Sequence, residues 1–217
     1  GRGTVINPGD VHDGRPDKDG YIYRMFYPST SLMKRTMLDV SDGVKDEVPW
    51  FSNSVLDDPD LVAHLIQAHH LSESGGNSLA TEVAMIESMA TVIRRYADDG
   101  PKPMRVGAEK AAINLVQDYM NDNIDADIKL DDLSAEISLN RFQLIRSFKK
   151  ETGQTPHAYL MNQRIIRAKQ YMKKGAGLAE TALACGFYDQ SHMNKVFKSQ
   201  LRFTPGDFKA AVCNSIQ

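Results

Sequence analysis

Phe148-Lys149-Lys150-Glu151-Thr152-Gly153-Gln154-Thr155-Pro156-His157-Ala158-Tyr159 and Phe197-Lys198-Ser199-Gln200-Leu201-Arg202-Phe203-Thr204-Pro205-Gly206-Asp207-Phe208 are two copies of one pattern. The fold follows from reading them together. Phe, Lys, Thr, Pro and a closing aromatic recur in step, each pair 49 residues apart. The same offset lays Leu144 on Met193, Arg146 on Lys195, Ala135 on Ala184 and Asn140 on Asp189. Similarity at a fixed offset means one supersecondary unit used twice.

Each copy carries its own punctuation. Asn140 and Asp189 are short polar residues suited to accept from the free amides that open a helix. Leu144/Phe148 and Met193/Phe197 then give an i, i+4 apolar stripe. Gly153 is suited to the left-handed turn that closes the first of these helices. Thr155-Pro156 and Thr204-Pro205 each start another helix, with Thr as cap and Pro where no amide hydrogen is missed. Upstream, Leu130–Ile137 and Leu178–Cys185 supply short apolar helices before a tight corner. Two short helices joined by a turn, the second capped and rich in cations, make a helix-turn-helix. The chain is therefore predicted to hold two, at about 130–150 and 178–200. His157–Lys174 forms the long helix joining them, and an amphipathic helix at Ala108–Met120 (Ala112, Leu115, Val116, Tyr119) buttresses the first.

Composition sets bounds around that reading. Of 217 residues, 41% are hydrophobic and 25% charged, the balance of ordinary globular domains. No run of 18 apolar residues and no secretory leader pattern is present, so the reading is a cytoplasmic protein with no membrane partner. Cys185 lies in an apolar helix and reads as a small core residue. The net charge of −2 hides a strong asymmetry. Residues 1–103 carry −6, residues 104–140 carry −5, and residues 141–217 carry +9. A basic block on a duplicated helix-turn-helix is an electrostatic footprint for phosphates. On charge alone it could equally be a solvated face; the repeat breaks that tie.

Residues 107–212 resemble the DNA-binding domain of the AraC/XylS family of bacterial transcription regulators. The match is best from Ala182 to Lys198, followed by Thr204-Pro205. Ser138, Lys129 and Leu201-Arg202-Phe203 depart from the family's usual turn residues. The resemblance implies a transcription regulator that binds double-stranded DNA, and it maps the base-reading positions onto Phe142, Ile145 and Arg146 and onto Gln190, Ser191, Asn194 and Lys195. Side-chain chemistry agrees: Arg pairs with guanine, Asn or Gln with adenine, and apolar groups meet thymine methyls. With Leu144 and Phe148 turned inward, Arg141, Phe142, Ile145, Arg146 and Lys149 are expected on the outer arc. Arg141, Lys149, Lys150, Lys173, Lys174 and Lys198 are expected at phosphates, which position without specifying.

The front of the chain reads differently. Thr4-Val5-Ile6 and Tyr21–Tyr27 are β-branched and aromatic with period-2 alternation, so strands are expected within about 3–28. Asn7-Pro8-Gly9-Asp10 is a turn. The run Asn7–His12 followed by Tyr23–Pro28 is similar to the later strands of the cupin-like ligand domain that precedes the DNA-binding domain in many of these regulators. This implies a small-molecule effector, with His12 and Tyr23 as candidate pocket residues. A closed barrel needs about eight strands, so the resemblance also implies that the first half of that domain lies outside this chain. His12 as a metal ligand would make a metal-dependent cupin enzyme the competing reading. A helix-turn-helix interaction module without DNA, and a DNA-repair methyltransferase with a reactive cysteine, are further competitors.

From Pro59 the period turns helical, with Leu61, Leu65 and Ala68 in one stripe and Leu79, Val83, Ile86, Ala90, Ile93 and Ala97 in another. These helices, at about 59–97, resemble the hairpin through which family members dimerise. Residues 99–106 read as a Gly/Pro linker between a ligand domain at 1–98 and a DNA-binding domain at 107–217. The expected whole is mainly α: two helix-turn-helix units joined by a long helix, preceded by a partial cupin-like β segment and a helical hairpin. It is expected to form a homodimer through the N-terminal helices, with RNA polymerase as a further partner, and to need no cofactor or metal.

Overall fold

Asn7 ties the start of the chain to its middle. In the computed structural model, which describes residues 2–10, 23–73, 78–101 and 110–214, its side-chain amide donates to Phe51 O at 3.0 Å. Its Oδ1 accepts from Phe51 N at the same distance. The turn at Asn7–Asp10 closes through Asp10 N–H to Asn7 O. This clamp sets β1 (Gly3–Thr4) antiparallel to β2 (Val55–Leu56), Gly3 opposite Leu56.

The expected strand through Tyr23–Tyr27 is not formed over its described part, and Tyr21 and Ile22 lie outside the described residues. An isolated strand leaves its amides and carbonyls without ladder partners, and β2 already pairs with β1. The segment instead lies along a helix. Phe26 meets the His69 ring edge-on at 5.1 Å, and Arg24 pairs with Glu73.

Ten helices follow among the described residues: α1 Thr30–Val40, α2 Pro59–Glu73, α3 Ser78–Tyr96, α4 Lys110–Asp122, α5 Leu130–Ala135, α6 Arg141–Thr152, α7 Pro156–Lys173, α8 Leu178–Ala184, α9 Gln190–Leu201 and α10 Pro205–Asn214. Helix α1 was not expected. It is capped by Ser29 Oγ, which accepts from Leu32 N, and it buries Met33, Met37 and Val40. Helix α2 starts at Asp58, which accepts from Leu61 N and pairs with Arg95. Helix α4 turns Ile113, Val116 and Met120 inward while Leu115 is exposed, so its apolar face is rotated from the expected one.

The stripe of α3 is not left bare. Leu79, Val83, Ile86, Ala90 and Ile93 belong to a core that continues through Met37 of α1 and Val116 of α4 to Phe148 and Phe197. Helix α3 packs on α1 and α2 on one side and on α5, α6 and α7 on the other. Residues 102–106 of the expected linker lie outside the described residues, while the helices before it pack directly on those after it. Helix α7, 18 residues and about 27 Å long at 1.5 Å per residue, joins the two duplicated units.

Candidate nucleic-acid interface

The caps form as their chemistry requires. Asn140 Oδ1 accepts from Gln143 N at 2.9 Å, Asp189 Oδ1 from His192 N at 2.6 Å, and Thr155 Oγ1 from Ala158 N. Gly153 ends α6 at φ 74°, and Arg202 ends α9 at φ 66°. The units α5–α6 and α8–α9 are thus two copies of one backbone design.

Their outward faces differ. On α9, Met193 and Phe197 are buried, which leaves Gln190, Ser191, Lys195 and Lys198 exposed and Asn194 half-buried. These are the five side chains assigned there from sequence, and they lie along one side of the helix. Lys173 and Lys174, at the end of α7, are exposed as well.

On α6 the equivalent surface is covered. Ile145 has no exposure, Phe142 is 7% exposed and Arg141 9%. None of the three lies on the outer arc where the sequence placed them, because α1 and α3 pack over that arc. Arg141 donates from Nη2 and Nε to Asp39 Oδ2 at 2.8 and 3.2 Å. Gln143 donates to Asp42 Oδ1 at 2.6 Å, and Asn140 Nδ2 to Asp39 O at 3.0 Å. Arg146 is half-buried and stands 5.3 Å from the Phe142 ring. Lys149 and Lys150 are exposed, with Lys149 3.7 Å from Glu87.

Between the units lies a cationic, proton-poor seam. Arg164 is buried on α7 and donates to Ile124 O and Ala126 O at 2.8 and 2.7 Å. Burial lowers it to about 10. Burial, with Arg164 and His192 nearby, lowers His157 to about 4, and burial with Arg164 also lowers His192. Burial raises the Cys185 thiol to about 11. It stays protonated, the wrong state for a nucleophile.

Tyr23 is 64% exposed and lines no cavity, and His12 lies outside the described residues. Among the described residues no cluster of His, Cys, Asp or Glu could hold a metal ion, and no helix is long and apolar enough to cross a membrane.

A helix-turn-helix domain profile matches residues 133–211, and an AraC-like ligand binding domain profile matches residues 1–89. The chain belongs to the AraC family. The HTH-type transcriptional regulator YbfI of Bacillus subtilis is 28% identical over 199 residues, covering 87% of this chain and 68% of that protein. GbdR of Pseudomonas aeruginosa is 28% identical over 151 residues, covering 68% of this chain and 40% of its own length. A transcriptional regulator of known structure from Chromobacterium violaceum, with an AraC-type DNA-binding domain, is 26% identical with a TM-score of 0.45, covering 48% of this chain and 93% of that one. In this AraC-family chain the sequence missed Asp39, Asp42 and Glu87, which meet the first recognition helix from α1 and α3. Their only signal was acidity on helices facing a basic repeat, which names no partner.

Proposed function

We propose that this chain binds double-stranded DNA in a sequence-selective way as a cytoplasmic transcription regulator, with α9 as the helix that meets base edges first. The observation that supports this most is the α9 face. Asp189 caps its N-terminus, two aromatic-sized anchors hold it down, and Gln190, Ser191, Asn194, Lys195 and Lys198 stand clear of the core. Gln and Asn suit adenine edges, and the lysines suit guanine or phosphate. Helix α7 sets the spacing to the second copy of the motif, so that α6, once uncovered, would reach the next major groove about 34 Å along the duplex.

The test is binding to duplexes selected from a random pool, followed as a function of salt. Log affinity should fall with log salt at about −0.9 per neutralised phosphate. Asn194→Ala should cost about 1–3 kcal/mol on the preferred duplex and relax one base position, whereas Lys198→Ala should weaken every duplex alike. A flat salt response would remove the reading. Effector response, pairing with a second copy through the N-terminal helices and contact with RNA polymerase belong to the same proposal. Light scattering at increasing concentration tests the pairing: a chain that remains monomeric contradicts it.

A further inference from the structure

Helices α3 and α6 leave between them a cleft of about 430 Å³, within the size range of small-molecule sites. The ring of Phe142 lies at its base. The Arg94 guanidinium of α3 is 5.8 Å from the ring centroid and the Arg146 guanidinium of α6 is 5.3 Å from it. Lys149 and Lys150 extend the α6 wall, and Thr91 and Glu87 extend the α3 wall. Four cationic side chains therefore line a space that has one carboxylate, and that carboxylate stands 3.7 Å from Lys149 Nζ. Arg94 is held below its ordinary range, first by burial and then by the neighbouring Arg146 and Arg95.

Like charges gathered in a partly desolvated cleft repel, and an oxyanion relieves that repulsion. Guanidinium forks accept phosphate and carboxylate oxygens in bidentate fashion, and the lysines add mobile point charges. We propose that the α3–α6 cleft is an oxyanion-binding site, built jointly by the N-terminal helices and the first recognition helix, and that it takes a small multivalent anion bearing phosphate or carboxylate groups. Arg146, Lys149 and Lys150 also serve the DNA reading, so a bound anion and a duplex compete for them. Arg94 lies outside the repeated units and belongs to the cleft.

The same chemistry could be supplied by a phosphate of the DNA backbone, and the experiment separates the two sources. Inorganic pyrophosphate and citrate are titrated calorimetrically into the 217-residue chain at low ionic strength. Saturable binding is expected, weakened about tenfold in Arg94→Gln, as losing a charged hydrogen-bond donor implies. Arg95→Gln, a neighbouring exposed cation, should bind as the parent does. Arg94→Lys should fall between, which distinguishes a lost fork from a misfolded chain. If neither anion saturates but Arg94→Gln lowers the salt slope of duplex binding by about 0.9, the site holds and its oxyanion is a backbone phosphate. Equal anion binding by the parent and Arg94→Gln overturns the proposal. So does the absence of anion binding together with an unchanged salt slope. In either case duplex binding by the parent chain leaves the DNA reading standing.

Discussion

Asp39 and Arg141, 102 residues apart in sequence, form a buried ion pair that fastens the end of α1 to the start of α6. Each is 9% exposed, and the guanidinium meets one carboxylate oxygen through two nitrogens. Removing one partner strands the other charge out of water. Asp39→Ala is expected to destabilise the chain by about 3–5 kcal/mol, and replacing both residues by apolar ones should restore most of that. Urea unfolding measures both. A single variant within about 0.5 kcal/mol of the parent, the range of ordinary surface substitutions, would show that the pair is not closed in solution.

The two units predict opposite outcomes for equivalent residues. Ile145→Ala should cost about 2–5 kcal/mol of stability, as deletions in packed cores do. Asn194→Ala, at the same register of α9, should leave the melting temperature near that of the parent and act on duplex binding. Melting curves and binding isotherms on the two variants are sufficient. The reverse pattern would mean that α6 is open in solution.

Gly186 and Gly153 both take positive φ, yet they should respond differently to alanine. At Gly153 a Cβ meets nothing within 4 Å, so only the backbone cost applies, about 1–2 kcal/mol. At Gly186 a Cβ falls 2.5 Å from Ile124 O and 2.8 Å from Arg164 Nη2. That alanine displaces the loop Arg164 holds, and Gly186→Ala should melt well below Gly153→Ala. Equal losses would contradict the packing around Arg164.

Acid should weaken the junction between the units. His157 is held neutral in the folded chain down to about 4, whereas its unfolded value is near 6.5. The unfolded state therefore binds more protons between these values, and stability falls as pH drops from about 6.5 toward 4. His192, lowered in the same direction, adds to the loss. Melting temperatures across this range should fall less steeply in His157→Gln. An identical slope would remove His157 as the cause.

Arg202 occupies the left-handed cap that Gly153 occupies in the first unit, at φ 66°. A side chain there costs about 1 kcal/mol or more, so Arg202→Gly should raise stability by about that amount. Thermal unfolding decides, and a loss would mean that the arginine makes a compensating contact.

The repeat, its caps and the α9 face were legible because they are local: Asn140, Thr155 and Asp189 each bond within three residues of themselves. Helix α1 was not. Its Met33, Met37 and Val40 spacing is helical, but the partner that makes it matter lies a hundred residues on. Helix α6 carries apolar residues on more than one side, at 142, 144, 145 and 148. Periodicity fixed one side inward and could not reveal that α1 and α3 would cover the other. The alternation around Tyr23–Tyr27 looked like a strand, but alternation cannot supply the neighbouring strand that a ladder needs.

With α6 beneath α1 and α3, one recognition helix is presented to DNA. A single such helix reads about three or four base pairs, a word that recurs by chance roughly every few hundred base pairs. What governs occupancy in a genome is the specificity ratio weighed against the number of competing sites. A chain in this arrangement would therefore meet acceptable words far more often than meaningful ones. Releasing α6 would join two words at a fixed spacing, and the number of chance matches would fall by roughly another factor of a hundred or more. The Asp39–Arg141 fastening thus sits where it can set how rare a site the protein is able to recognise.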